Sequence, residues 1–418
     1  DVFLLHDREI YMRVDDSVAR VTEGVPRLLR RARGYAPEPM DLGRELPEIL
    51  ACGGELKNTL TITRGRYAIM SQHIGDLTNY EAMSFFGETL KNLKRTFRAE
   101  PRIIAHDMHP DYMSTRFAHE YGGGKSVLVP VQHHHAHVAS CMAENGYSGE
   151  VIGVAFDGTG YGTDGLTWGS EFMLAGYAGF ERCAHLAYMP LPGGDKAVRE
   201  PWRIALSCLM EASGADGTKI FRELKKDAAT DREIELVAAM LDKKINSPLS
   251  CGMGRLFDAV SSLVGLMDVI TFEGEAAIAL EMAADPDAAG GAPYPYRVGD
   301  GGERVIGWTG IIRAVADDLR TGVSRAAIAG RFHATVADIV FRVCSDVREK
   351  TGIEVVALSG GVFQNSLLFG LVERGLLARG FRVLSHSKVP TNDACVSLGQ
   401  AAVAAARFSP SPPACSFV

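Results

Sequence analysis

Two segments of this chain follow one plan. ILACGGELKNTLTIT (49–63) and VIGVAFDGTGYGTDGLTWGSEFMLA (151–175) each read as an apolar strand, a glycine-rich turn and a second strand. Short apolar runs bounded by glycine point to strands buried within a sheet. A third turn, in EVVALSGGVFQNSLLFGLVERGLLARG, reads as a buried strand, Gly360-Gly361 and a helix, followed by a strand FRVLSH and a closing helix DACVSLGQAAVAAARF. Strands alternating with helices specify an α/β fold whose ligands gather at the carboxyl ends of strands. The repetition therefore predicts a duplicated lobe.

The remaining punctuation divides the chain. VFLLHDREIYMRVDDSV alternates like a hairpin, and the proline-spaced GYAPEPMDLGRELPE reads as a linker, so residues 1–45 form a leading piece. Residues 46–405 form the main body, with lobes at 46–140 and 151–405 and a helical insertion at about 200–250. FSPSPPACSFV is too rich in Pro and Ser to extend a helix, which predicts a flexible tail over 406–418. The sequence opens on Asp1 without a signal-like segment and reads as a fragment of something longer or a trimmed chain.

The chemistry concentrates in VQHHHAHVASCMAENGYSGEVIGVAFDGTGYGTDG (131–165). His133 and His137 stand i, i+4, so on a helix their imidazoles leave one face and can share a cation. Asp157 ends the strand VIGVAF, and the turn after it carries Gly158, Gly160, Gly162 and Gly165, whose amides could line an anion. Asp393, opening the last helix in KVPTNDACVSLG, is the carboxylate to pair with Asp157; a plain helix N-cap would look the same. Imidazole and carboxylate donors suit Zn, Fe(II) or Mn, and a structural histidine cluster is the blander alternative.

Other candidates are more open. Gly360 and Gly361 let a nucleotide approach the backbone, and Asn365 in the following helix is placed to read an adenine or ribose edge; an ordinary strand-to-helix turn uses the same residues. In CGMGRLFDAVSSLVG, Arg255 and Asp258 are polar candidates, with a solvated Asp258 as the ordinary reading. Lys57 and Arg199 lie in GGELKN and GGDKAVREPW, read as loops where a cation holds a phosphate or carbamoyl oxygen or faces solvent.

Composition narrows the partners. No run approaches the ~18 apolar residues that span a bilayer, so no membrane partner is expected. A net charge of −7 argues against a broad nucleic-acid surface, although RVTEGVPRLLRRARG is locally basic. Eight cysteines without a CxxC pair fit a reducing cytoplasm.

The ordered series VQHHHAH, FDGTGYGTDG, GGDKAVREPWR, GRLFDAVSSLVG, ALSGGVFQN and PTNDACVSLGQAA resembles the carboxy-terminal carbamoyltransferase domain of the HypF family of hydrogenase maturation proteins, over about residues 46–405. The leading FLLHDREIYMRVDDSVAR and RRARGYAP are similar to the end of that family's YrdC-like α/β domain. The resemblance implies a two-lobed fold of the acetate-kinase, sugar-kinase and actin type with a nucleotide in the cleft. It implies a divalent metal, Zn or Fe(II), on His133, His137, Asp157 and Asp393, with Mg a further candidate ion. With a nucleotide in that cleft, the residues read above as candidates place ATP or carbamoyladenylate at Gly158, Gly160, Gly162, Asp258, Gly360, Gly361 and Asn365, with Lys57 and Arg199 as the catalytic candidates.

The family's reaction, starting from carbamoyl phosphate and ATP, passes a carbamoyl group from carbamoyladenylate to the C-terminal cysteine of the partner HypE, leading to the cyanide ligands of nickel-iron hydrogenase. On that scheme the chain needs no nucleophile, and none of its cysteines is expected to sit beside a base. Two relatives share parts of the pattern. The tRNA threonylcarbamoyl-transfer subunit normally has acidic and glycine residues between its ligands, where this chain has His134, His135 and Ala136; antibiotic O-carbamoyltransferases carry the YrdC-like part after the transferase domain. An actin-like ATP-binding scaffold with structural histidines is the non-enzymatic alternative.

Overall fold

The computed structural model describes residues 2–287 and 291–408. The opening hairpin lies later than the alternating residues suggest: β1 (Val18–Thr22) pairs antiparallel with β2 (Val25–Arg30). Glu23 and Gly24 join them with φ of 50° and 73°. Two positive φ values in a two-residue turn match the twist of paired strands, so this Glu-Gly turn, not the upstream pattern, sets the hairpin.

The expected linker contributes β3 (Met40–Asp41) to a six-stranded sheet. Its other strands are β4 (Ile49–Ala51), β5 (Thr61–Arg64), β6 (Tyr67–Met70), β7 (Ile103–Asp107) and β8 (Val127–Val131), in the order β3-β6-β5-β4-β7-β8. Helix α1 (Tyr80–Phe97) precedes β7, α2 (Met113–Gly122) precedes β8, and α3 (His133–Glu144) follows it. Side-chain oxygens of Asn79 and Gln132 cap α1 and α3 by accepting from the first-turn amides of Ala82 and His135.

The second sheet repeats this topology. β9 (Val151–Tyr161), β10 (Thr167–Ala175) and β11 (Phe180–Leu186) form an antiparallel meander like β4-β5-β6. After β12 (Met189–Pro190) come α4 (Asp195–Arg199), α5 (Pro201–Ser213), α6 (Gly217–Leu224), α7 (Asp231–Asp242), β13 (Leu249–Ser250), α8 (Met253–Leu263) and α9 (Glu275–Ala283). β14 (Arg297–Val298), β15 (Arg304–Gly307), α10 (Thr309–Arg320) and α11 (Arg325–Thr351) follow, so helices continue well beyond the 200–250 interval. The chain then returns through β16 (Val355–Ser359), α12 (Ser366–Ala378), β17 (Arg382–Leu384) and α13 (Val396–Phe408). β16 pairs parallel with β9 and β17 with β16, as β7 does with β4 and β8 with β7. This is the duplicated, actin-like α/β architecture. Helix α13 reaches Phe408, and the rest of the expected tail, 409–418, lies outside the described residues.

The two lobes are joined by a crossing of α3 and α13. Val138, Cys141 and Met142 of α3 pack in the second-lobe core, whereas its Ala136 and Ala139 join Ile49, Ala105 and Val129 of the first sheet. Helix α13, which closes the second lobe in sequence, buries Val396, Ala401, Val403 and Ala405 in that same first-lobe cluster. A helix surrounded in this way has no solvent face, and every residue from His133 to Ala143 is buried, the four histidines included. The helices touch backbone to backbone at Gly399, where a Cβ would lie 1.7 Å from the Ala136 carbonyl oxygen.

Candidate metal centre

The N-terminal turns of α3 aim His133 and His137 at the junction between the lobes. Their Nε2 atoms meet two carboxylates. His137 Nε2 is 3.2 Å from Asp157 Oδ2 and 3.5 Å from Asp393 Oδ1, and His133 Nε2 is 3.6 Å from Asp393 Oδ1. One ligand atom from each of the four residues lies within 4.8 Å of the others. Both Nε2 atoms are buried without a hydrogen-bond partner. Orphaned buried nitrogens facing carboxylates fit a cation, since tetrahedral ligands at about 2.0–2.2 Å from a metal stand roughly 3.3 Å apart.

The electrostatics agree. Burial depresses the imidazolium of His133, but Asp393 and then Asp107 outweigh it and raise its pKa to about 10. His137 is also raised, against burial, by Cys395, Asp157 and Asp393. Burial pushes the Asp393 carboxyl up, and the two imidazoles pull it well below the usual carboxylate range. In the cation-free protein the buried carboxylates thus favour protons on the two imidazoles, positive charge that a divalent ion would supply instead.

Each candidate ligand has a local reason for its aim. Asp393 is not the helix cap: Asn392 takes that place, its side chain accepting from Ala394 N at 3.1 Å, which leaves Asp393 free to face the histidines. Asp157 does not end its strand, because β9 continues through Gly158 and Gly160 to Tyr161. Asp157 Oδ1 accepts from Gly158 N at 2.8 Å and Oδ2 from Gly361 N at 3.3 Å. His133 Nδ1 pairs with Asp107 Oδ2 at 2.8 Å, both side chains fully buried. Asp107 is the residue that sequence reasoning missed; it terminates the apolar strand IIAHD, a signal weaker than a motif.

The glycines mostly serve close approach. A Cβ on Gly160 would lie 2.4 Å from His134 Cε1 and 2.8 Å from His133 Cδ2. One on Gly158 would lie 2.7 Å from Arg255 Nη2, and one on Gly162 would meet Trp168 Nε1 at 2.2 Å. The amides expected to line an anion are engaged internally: Gly158 N on Asp157, Gly162 N on Leu166 O and Gly165 N on Gly162 O. Gly360 has φ of 101° and sits where a Cβ would be 2.1 Å from Phe156 O, so the turn passes directly under the strand. Across the cleft, Gly53 is held by Gln400 of α13, its amide donating to Oε1 at 2.8 Å, and a Cβ on Gly54 would stand 3.7 Å from Asp393 Oδ2 and His133 Cε1.

The other sequence candidates separate. Asn365 is the N-cap of α12, its Oδ1 accepting from Leu368 N at 2.9 Å while its Nδ2 pairs with His333 at 2.8 Å, so its side chain is already engaged. Asp258 is buried rather than solvated, 2.9 Å from Arg255 Nη1, because α8 is buried on every face. Lys57 forms an ion pair with Glu273; burial opposes its charge, and Glu273, Asp393 and Asp157 raise it. Arg199 closes helix α4 instead of lying in a loop, and is exposed. No salt bridge joins it to the cluster among the described residues. His134 and His135 are buried and held neutral: burial, reinforced for His134 by His133 and His137, lowers both, His135 to about 4.

One cysteine departs from expectation. Cys395 Sγ lies 3.2 Å from His137 Nδ1, and although burial raises its thiol, His137 and His386 lower it to about 6. The closing turn brings it there, since it follows Asp393 by two residues.

Comparison with known proteins sets this geometry in a family. Residues 153–400 match the model described as Carbamoyltransferase, Kae1-like Domain, second subdomain, and residues 44–144 match HypF Kae1-like domain. The chain belongs to the HypF carbamoyltransferase family. Carbamoyltransferase HypF2 of Cupriavidus necator is 38% identical over 97% of this chain and 53% of its own length. A Carbamoyltransferase HypF homolog from the same organism is 37% identical over 88% of this chain and 94% of its own length. A crystal structure of full-length HypF in the phosphate- and nucleotide-bound form superposes with a TM-score of 0.91 at 41% identity, over 97% of this chain and 62% of that one. The chain thus spans about half the length of most of the curated HypF proteins it matches. Among the described residues no helix is long and apolar enough to cross a membrane.

Proposed function

We propose that this chain transfers a carbamoyl group from carbamoyladenylate, made from carbamoyl phosphate and ATP, to the C-terminal cysteine thiolate of HypE in the cytoplasm, toward the cyanide ligands of nickel-iron hydrogenase. The observation that carries this reading is the convergence of His133, His137, Asp157 and Asp393 between the two lobes, with two orphaned imidazole nitrogens. In the reaction the partner's sulfur attacks the carbamoyl carbon, the carbon–oxygen bond to the phosphate breaks, and AMP leaves with its electron pair. A divalent ion on the four residues, Zn or Fe(II), would neutralise charge on the adenylate phosphate.

The chain's own groups do the positioning. Lys57, whose charge is felt by Asp393 and Asp157, supplies a cation at the cleft for a phosphate or carbamoyl oxygen once Glu273 releases it. The nucleotide is assigned to the second-lobe wall, along Gly158 and Gly160 of β9, Gly162 just after it and the Gly360-Gly361 turn, with Asp258 behind it. Asn365 leaves that set because its side chain already caps α12. Arg199, on exposed α4, is kept as a second cation that meets substrate from outside the buried cluster. The test is to mix the chain with HypE and carbamoyladenylate and weigh HypE by mass spectrometry. One added carbamoyl group on its terminal cysteine supports the reading. No gain, or labelling of a tRNA or a sugar instead, refutes it.

A further inference from the structure

Behind His137, on the side away from the carboxylates, runs a buried chain of polar side chains. His137 Nδ1 is 3.2 Å from Ser359 Oγ at the end of β16, and Ser359 Oγ is 2.9 Å from His386 Nε2 just after β17. His386 Nδ1 is 2.7 Å from Glu144 Oε2, on the last turn of α3. The side chains of His386 and Glu144 are each 3% exposed, and Ser359 and His137 are fully buried. Glu144 is anchored in turn, its Oε1 accepting from Ser387 N at 2.7 Å and from Ser387 Oγ at 3.1 Å.

We infer that Glu144, His386 and Ser359 are positioning residues that fix the ring orientation and tautomer of His137, presenting a bare Nε2 to the cation; the inference rests on the metal reading of that site.

The direction of the protons along this chain follows from the carboxylate at its far end. A carboxylate has no proton to give, so His386 Nδ1–H donates to Glu144. Neutral His386 then has a lone pair on Nε2, which takes the single proton of Ser359. Ser359 Oγ in turn accepts from His137 Nδ1–H. With its proton on Nδ1, His137 carries a lone pair on Nε2, the form a metal ligand requires. In the cation-free protein, burial disfavours a second proton on His386, but hydrogen bonds to Cys395 and Glu144 raise its pKa to about 9. A divalent charge beyond Ser359 works against that second proton and favours the one-way arrangement. His137 and Glu144 stand i, i+7 on α3, two helical turns apart, so the helix that carries the ligand also carries the anchor of its support.

The test uses the full chain and Co(II), read by its visible d–d absorption and by competition with a chelator. Ser359→Ala and Glu144→Gln are expected to weaken Co(II) binding about 10- to 100-fold and to shift the absorption band. Ser359→Thr, which keeps the hydroxyl, is expected to restore both. Thermal unfolding of each cation-free variant separates loss of ligand orientation from loss of fold, and Glu144→Gln stands in if Ser359→Ala does not fold. Wild-type affinity and spectrum in both Ser359→Ala and Glu144→Gln overturn the inference. So does a loss seen only in Cys395→Ala, which would assign the role to the thiol 3.2 Å from the same nitrogen. A wild-type chain that takes up no Co(II) defeats the metal reading itself, a distinct result.

Discussion

Gly399→Ala tests whether the crossing of α3 and α13 holds the candidate centre together. The added Cβ would stand 1.7 Å from Ala136 O, 2.5 Å from Ala136 C and 2.8 Å from Ala136 Cα, all backbone of α3, so no rotamer change relieves it. A carbon meets a carbonyl oxygen no closer than about 3.3 Å, so the helices must part by roughly 1.6 Å at that point. Overpacking of this kind costs about 1–3 kcal/mol, occasionally more. The strain is not confined to stability, because Ala136 lies between His133 and His137 and α13 starts three residues after Asp393. Asp393 Oδ1 now stands 3.6 and 3.5 Å from the two imidazole nitrogens. The same displacement carries it toward roughly 5 Å, beyond the spacing of ligands on one ion, and metal affinity should fall at least about tenfold. Urea unfolding of the cation-free protein reads the first effect, and Zn(II) competition with a chromophoric chelator reads the second. Gly87→Ala is the control: Gly87 lies within α1 with open space around it, and alanine there should stabilise by about 0.4–1 kcal/mol and leave Zn(II) affinity unchanged. If Gly399→Ala keeps the wild-type urea midpoint and Zn(II) affinity, the helices are not in contact at this residue and the argument fails.

Three further outcomes are expected. Asp107→Asn removes the carboxylate that accepts from His133 Nδ1, and metal affinity should drop about 10- to 100-fold with the fold intact by circular dichroism; an unchanged titration would show that Asp107 does not orient the ligand. In the cation-free protein the proton on His133 is held up to about pH 10 against an ordinary value of 6.5, so its stabilisation is full below 6.5 and is lost as pH rises through about 10. Stability should therefore decline across that window, and metal binding at pH 8 should release protons, measured by calorimetry in buffers of different ionisation enthalpy; a flat profile with no release contradicts the assignment. Asn365→Ala removes the cap of α12 and should cost about 0.5–2 kcal/mol without weakening AMP binding, whereas a stable variant with lost AMP affinity would return Asn365 to the nucleotide site.

Structure is most legible in the sequence where a residue's partners in space are also its near neighbours in the chain. Apolar strands bounded by glycine were legible in both lobes because burial on two faces writes a continuous apolar run. The shared face of His133 and His137 follows from helical spacing alone. Contacts whose partner lies far along the chain leave no such local trace. Asp107 acts on His133 from 26 residues away, and His386 acts on Ser359 from 27; no local pattern announces either contact. Gly158 and Gly160 looked like a turn because glycine weakens strands, yet here β9 needs them to pass beneath His133, His134 and Arg255. Asp258 looked solvated because a single carboxylate on a helix usually is, and only the complete burial of α8 reverses that expectation.

The distribution of the ligands explains why so much depends on one helix crossing. His133 and His137 come from α3, which packs against both sheets; Asp157 comes from an interior strand of the second sheet; Asp393 precedes α13, which is seated on the first. Neither lobe contains the set. Gln400 of α13 holds the first glycine turn through Gly53, and Gly361 of the second turn holds Asp157. The first glycine turn is thus fixed by the last helix, and the second fixes a carboxylate of the cluster. The four donor atoms meet only when both sheets are folded and α13 has docked, so assembly of the lobes and assembly of the candidate site are one event, and the energy of binding a metal there would add directly to the energy that keeps the lobes together.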